Sequence, residues 1–298
     1  MCGIYGIIGK DAKKFEKSFY EMGQQISHRG PDFSGKYISN NILLGHQRLS
    51  ILDLSKKSNQ PLKSSNGKSI ISFNGEIYNF LELIDELKLT KKTGDTKVLV
   101  EILDKFEMRA LDKLRGMFAF AFHNTLNGTT YLVRDRFGIK PLYYFQQSNY
   151  LYFSSEIKPL LKISQNISPN EKIINDYLYN SLVDHSKETF FKNIFQLEPG
   201  SFLKVNKKGQ IVKKCKWYNL KSKVKENKHK NKNNDFTENF YEIFKETIKL
   251  HLRSDVKVGL ALSGGIDSKI ILDELLKSNS GDKLNSYSFC FKEKNIQK

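Results

Sequence analysis

The 298-residue sequence predicts an α+β domain built in layers, followed by the start of an α/β unit. Three observations carry this. Through the first two thirds, short β-rich runs bounded by turn signals are interspersed with amphipathic helices, the pattern of a layered α+β domain. A lysine- and asparagine-rich stretch, 221–235, has almost no apolar content and reads as an exposed linker. Beyond it come an apolar run, a Gly-Ser loop and a helix, as at the entry to a doubly wound sheet. Length agrees, since ~150 residues per domain gives about two.

Taken in order, Gly3-Ile4-Tyr5-Gly6-Ile7-Ile8 reads as a buried strand whose glycines allow close approach. Phe15, Phe19, Met22 and Ile26 fall at helical spacing and predict a helix over 12–27, stopped by Gly30-Pro31. Strands follow at 42–46 and 69–73, then helices at 79–88 and 96–107. The second of these puts Val98, Leu99, Ile102, Leu103 and Phe106 on one side. Met117–His123, Thr130–Arg134, Pro141–Phe145 and Tyr150–Ser154 read as one antiparallel meander. A helix over 171–182 and a hairpin of Phe202–Val205 with Ile211–Lys216 complete a first domain, 1–220. In 236–298, Phe236, Phe240, Ile243, Phe244 and Ile248 mark a helix. Val256–Leu262 then reads as a buried strand, Lys269–Lys277 as a helix and Ser286–Phe291 as another strand.

Composition narrows the function. Apolar residues at 39% and aromatics at 12% suffice for packed cores. The net charge of +17 invites a nucleic-acid reading, but lysines outnumber arginines 42 to 7 and are scattered. There is no basic stripe interleaved with aromatics, so no specific nucleic-acid partner is expected. Arginine's planar fork does what lysine cannot. Where this chain still uses it (Arg29, Arg48, Arg115, Arg134, Arg136), geometry is expected to demand it. Three widely spaced cysteines suggest no disulfide framework. With no signal peptide and no run of ~20 apolar residues, the expected location is the cytoplasm, away from membranes. The six histidines are dispersed, and no metal-ligand cluster is visible.

Two places carry chemistry. If Met1 is removed, Cys2 presents a thiol and a free α-amine together, with ordinary pKa values near ~8.5 and ~8. Such a residue is nucleophile and base at once. The second place is Leu262-Ser263-Gly264-Gly265-Ile266-Asp267-Ser268, between a strand and a helix. Its glycines admit a phosphate and its amides supply donors. No Gly-Lys-Ser/Thr follows, so it is not the lysine-bearing phosphate loop. Asn74-Gly75 taken alone reads as a type I′ hairpin turn.

In order and spacing, a longer series resembles the class-II glutamine amidotransferases, specifically the glutamine-hydrolysing asparagine synthetases. It runs Met1-Cys2-Gly3-Ile4, His28-Arg29-Gly30-Pro31-Asp32, Gly45-His46-Gln47-Arg48-Leu49-Ser50-Ile51 and Phe73-Asn74-Gly75-Glu76-Ile77-Tyr78-Asn79. It continues through Gly94-Asp95-Thr96, Arg115–Phe120, Arg134–Tyr143 and Ser154-Ser155-Glu156 to Arg253-Ser254-Asp255-Val256 and the Ser263–Ser268 loop. The resemblance implies a four-layer αββα sandwich of the N-terminal-nucleophile type, followed by the start of a pyrophosphate-loop ATP-binding domain. It implies that Cys2 attacks the glutamine amide, while the Asn74 amide and the Gly75 N–H hold the oxyanion. Arg48 would grip the substrate carboxylate, and Asp95 with the backbone at Glu76 its ammonium. In the second domain the family activates aspartate with ATP and Mg²⁺. Ser263, Gly264, Gly265, Asp267 and Ser268 would hold pyrophosphate, and Leu262 and Phe289 would line the adenosine pocket. Arg29 and Asp32 receive no catalytic role.

Three positions depart from the family pattern: Lys97, Lys269 and Cys290. The family's second ATP/aspartate segment is also missing. The second domain is therefore expected to be incomplete, through truncation or because a second copy or a separate chain completes it. Two alternatives remain: a relative aminating another carboxylate, as in surface-sugar biosynthesis, and a non-catalytic regulatory subunit.

Overall fold

A computed structural model describes residues 1–89, 93–164, 167–227, 236–277 and 285–290. The chain divides into two units, Met1–Lys225 and Glu226–Lys298. The first unit runs β1 (Gly3–Ile8), α1 (Glu16–Gln25), β2 (Phe33–Ile38), β3 (Ile42–Arg48), β4 (Leu62–Lys63), β5 (Ser69–Ile77), α2 (Phe80–Leu87) and α3 (Asp95–Phe106). It continues with β6 (Gly116–Asn124), β7 (Thr130–Arg134), β8 (Tyr143–Gln147), β9 (Tyr150–Ser154), α4 (Ile157–Ile163) and α5 (Glu171–Asn180). Then come β10 (Phe195–Gln196), β11 (Ser201–Val205), β12 (Ile211–Lys216) and α6 (Leu220–Asn227). The strands form two antiparallel six-stranded sheets, ordered β10-β8-β9-β1-β3-β2 and β12-β11-β7-β6-β5-β4.

Period-two alternation decides the layers. On β1, Ile4 and Ile8 face a core that also contains Ala119, Ala121 and Leu132 of the other sheet. Tyr5 and Ile7 face a second core with Phe19, Met22 and Leu160 of α1 and α4. On β6, Phe118, Phe120 and Phe122 turn to α2 and α3, whose Leu83, Ile84, Val98, Leu99 and Ile102 are buried there. The order is therefore helices, sheet, sheet, helices: the αββα sandwich that the resemblance implies.

Several expectations need correction. The four runs from Met117 to Ser154 are not one meander. β6–β7 and β8–β9 are hairpins in different sheets, because the loop between them crosses from one sheet to the other. Asn74-Gly75 is no turn; both residues lie inside β5. The edge strand β2 was not foreseen, since its mostly exposed Phe-Ser-Gly-Lys-Tyr-Ile shows little apolar alternation. The helix over 12–27 opens with a 3-10 turn, Ala12–Phe15. Part of the expected linker is helical: α6 uses the good helix propensity of lysine and glutamate, with Lys223 N donating to Asn219 O at 3.1 Å. The rest, 228–235, lies outside the described residues.

The second unit contains α7 (Phe236–His251), β13 (Gly259–Ala261), α8 (Ile266–Lys277) and β14 (Asn285–Tyr287), the two strands parallel. The run Val256–Leu262 is shorter as a strand than expected and is not buried. Val256 and Val258 precede it exposed, and among the described residues β13 has one neighbouring strand. β14 is exposed along its length, and the expected strand end at Phe291 lies outside the described residues.

Candidate active site

Cys2, Arg48, Asn74, Gly75, Glu76 and Asp95 line one cavity of about 150 Å³, together with Met1, Met117 and Lys140. That volume suits one small molecule, since an apolar cavity of ~150 Å³ can take up benzene. The two sheets contribute different halves. Cys2 precedes β1 and Arg48 ends β3, whereas Asn74, Gly75 and Glu76 belong to β5 and Asp95 opens α3 behind it.

The Cys2 end of the cavity is held by motif residues. Arg29 Nε donates to Cys2 O at 2.9 Å, and its Nη1 pairs with Glu156 at 2.9 Å. Ile4 N donates to Ser155 Oγ at 3.0 Å, and Ser155 N to Ile4 O at 2.9 Å. Asp32 accepts from Ser50 N at 2.7 Å, steadying the loop whose Leu49 N and O both lie 3.4 Å from Cys2 Sγ. Burial pushes the Cys2 thiol above its ordinary value, against the Leu49 amide, which pulls it down. Burial thus favours the thiol over the thiolate. Met1 is 56% exposed, accessible for removal.

On the facing sheet, Asn74 is 1% exposed and its Nδ2 is buried without a hydrogen-bond partner. A buried amide left unmatched costs ~1–3 kcal/mol, and in a cavity it is a donor waiting for an acceptor. Gly75 is required by packing: a Cβ would stand 2.1 Å from Met117 O and 2.7 Å from Phe118 Cα. Asp95 is 5% exposed, and its Oδ2 accepts from Ile77 N at 3.1 Å. Burial raises its pKa to about 7, with Glu76 adding to the rise and the Ile77 and Thr96 amides opposing it. Burial also raises Glu76, against the pull of Lys140. Arg48 donates to Ser55 O (2.9 Å), Asn59 Oδ1 (2.7 Å) and Asp53 O, fixing the 53–59 loop at the cavity wall. Lys97, a departure from the family pattern, pairs with Glu101 at 2.7 Å and donates to Lys63 O, and it does not line the cavity.

Two cavity-side residues escaped the sequence reading. Arg29, given no catalytic role from its motif but marked by the scarcity of arginine, holds the Cys2 carbonyl. Lys140 was one lysine among 42. Its only signal was its place in the Arg134–Tyr143 series. Asp135 organises that loop, accepting from Phe118 N, Phe137 N, Ile139 N and Lys140 N at 2.9–3.1 Å. Arg134 closes it by donating to Gly138 O, Lys140 O and Leu197 O at 2.6–2.8 Å.

A glutamine amidotransferase domain family matches residues 1–218. The chain belongs to the glutamine amidotransferase family. An asparagine synthase family matches residues 239–297 of this amidotransferase. It is 34% identical to a putative glutamine-hydrolysing asparagine synthetase of Methanocaldococcus jannaschii, over 99% of this chain and 60% of that protein. It is 32% identical to asparagine synthetase B of Escherichia coli, over 91% of this chain and 44% of that one. The chain thus spans about half the length of these relatives. A solved structure of glutamine phosphoribosylpyrophosphate amidotransferase from Bacillus subtilis shares the fold, with a TM-score of 0.54 and 18% identity. That match covers 73% of this chain and 49% of the other.

In the second unit, Ser263, Gly264, Gly265, Asp267 and Ser268 lie together between β13 and the first turn of α8. Ser268 Oγ bridges Ser263 N (3.3 Å) and Gly265 O (3.0 Å). Gly264 has φ +79° and open space where a Cβ would stand. Leu262 is half-buried and Phe289 is 85% exposed, so no enclosed adenosine pocket forms around them among the described residues. Among the described residues, no group of three or more His, Cys, Asp or Glu is placed to hold a metal ion, and no helix is long and apolar enough to cross a membrane.

Proposed function

We propose that Cys2, freed of Met1, hydrolyses glutamine to glutamate and ammonia. The observation that carries the reading is the unpartnered, buried Asn74 amide in the cavity that holds the Cys2 thiol. The α-amine of Cys2 takes the thiol proton as sulfur attacks the side-chain carbonyl carbon. Negative charge gathers on the carbonyl oxygen, which Asn74 Nδ2 and Gly75 N–H receive. The protonated amine returns the proton to the departing nitrogen, which leaves as ammonia, and a thioester remains. Water, deprotonated by the same amine, opens the thioester to glutamate and restores the thiol. Arg48 receives the substrate carboxylate, and ionised Asp95 with the backbone at Glu76 its ammonium.

The acceptor of the ammonia is aspartate in this reading, supported by the names of the relatives and by the second family match. The Ser263–Ser268 loop fits a phosphate group: an open glycine in the left-handed region, two hydroxyls and the N-terminus of a 12-residue helix. ATP bound there would supply activation of a carboxylate, with Mg²⁺ carried on its phosphates. The glutaminase unit is assigned to 1–220 and the synthetase-type unit to 236–298, in a cytoplasmic protein.

Cys2→Ala, or a chain forced to retain Met1 behind a tag, should lose glutamine hydrolysis while keeping its circular dichroism spectrum. Undiminished release of ammonia from glutamine by Cys2→Ala would overturn the reading.

A further inference from the structure

Lys140 has no part in that mechanism, yet the fold spends much to place it. Four amide donations to Asp135 and three guanidinium donations from Arg134 fix its loop. Lys140 itself is 5% exposed and lines the cavity. An ammonium carries three donors. Among the described residues it makes one hydrogen bond, 3.4 Å to Met1 Sδ, a weak thioether acceptor that leaves with Met1. Excision therefore uncovers a buried cation beside the new N-terminus.

We propose that Lys140 is a positioning residue that keeps the freed Cys2 amine neutral, and so basic, through like-charge repulsion. The inference rests on the glutaminase reading above. A base must be unprotonated at working pH, and a nearby cation disfavours its charged form. The charged groups that act on the amine, on the Cys2 thiol or on Lys140 come from several elements. Arg29 and Asp32 lie after α1, Arg48 on β3, Glu76 on β5, Asp95 on α3, and Asp135 beside Lys140. Asp32 pulls the amine's pKa up while Arg29 and Lys140 push it down, and in the free chain burial raises Glu76 and Asp95 toward their neutral forms. The α-amine of Met1, one residue further out, is lowered by burial and by Arg29 and Lys140, against Cys2 and Asp32, which raise it.

The test is the pH dependence of kcat at saturating glutamine, where bound substrate keeps Asp95 ionised, on chains shown by mass to lack Met1. Lys140→Met should move the acid limb of kcat to higher pH. Activity should fall about tenfold near pH 6.5 and return to within about twofold of wild type at pH 9. Lys140→Arg should keep the wild-type limb. If Lys140→Met fails to fold, Lys140→Gln is measured in its place, with the same shift expected. A loss equal at every pH, or an unmoved limb, would overturn the role of Lys140 while the glutaminase reading stands. A wild-type chain that releases no ammonia would overturn both.

Discussion

The two motif-bearing places of this chain share a chemical idea, donors presented to an anion, but differ in their surroundings. The Cys2–Asn74 cavity is walled in part by buried side chains, among them Arg48, Asn74, Asp95 and Lys140. The Ser263–Ser268 loop is largely open, with little beyond its own residues shaping it. A donor in a dry, fixed setting is strong and ready for charge that develops during a reaction. A donor at an open loop competes with water. Motif and machinery are therefore separable: one place has both, and in the described residues the other has the motif.

That contrast can be broken by mutation. Asn74→Ala removes a buried, unmatched donor and should lower kcat about 10²–10³-fold with little change in the KM for glutamine. A loss confined to KM would make Asn74 a binding residue instead.

Asp95→Asn should raise KM about a hundredfold, since a buried charge partner is lost. In the wild type, protonation of Asp95 should weaken glutamine binding as pH falls through about 7, a dependence absent in Asp95→Asn. Folding responds with the opposite sign. The folded chain holds an extra proton at Asp95 between the ordinary carboxylate pKa and about 7, so this contribution is present at low pH and lost as pH rises. Asp95→Asn should accordingly melt higher than wild type at pH 8, by up to ~4 kcal/mol of stability. Equal melting at pH 8 would contradict the buried-charge account.

Arg48→Lys keeps the charge and loses the fork, and should raise KM about ten- to a hundredfold. An unchanged KM would assign Arg48 wholly to the 53–59 loop.

The smallest effect belongs to the open loop. Gly265→Ala would meet only Ser263 Oγ, at 3.3 Å, and should change stability by less than ~0.5 kcal/mol with glutamine hydrolysis untouched. Gly75→Ala, the same change inside the cavity wall, should abolish hydrolysis. Equal tolerance at the two positions would erase the contrast.

Much of this was legible because it was local. β7 and β9 stand where alternation put them, and the six glutaminase residues named from motif order share one cavity. What was missed depends on contacts distant in sequence. Whether β7 pairs with β8 is decided by Asp135, Arg134 and Leu197, the last 63 positions from Arg134. Whether Val256–Leu262 is buried depends on what covers it, and apolar content alone does not say. Lys140 is chemically ordinary; only the loop that delivers it sets it apart. Arg29, Arg48, Arg134 and Arg136 are better marked: the last three each donate to two or more backbone carbonyls, and Arg29 joins the Cys2 carbonyl to the Glu156 carboxylate.

The alternation on β6 has a mechanical meaning. Phenylalanines face the helices, while Ala119 and Ala121 face the other sheet. Methyl groups therefore act as the spacer between two plates, one carrying the Cys2 sulfur and the other the Asn74 amide. The gap is set from directly opposite Asn74, whose cross-strand partner is Ala119, by the smallest side chains on the strand. The separation of Cys2 from Asn74 is thus a tolerance machined into the core, and under the proposed function wear there would show as a slower stroke before the parts came loose.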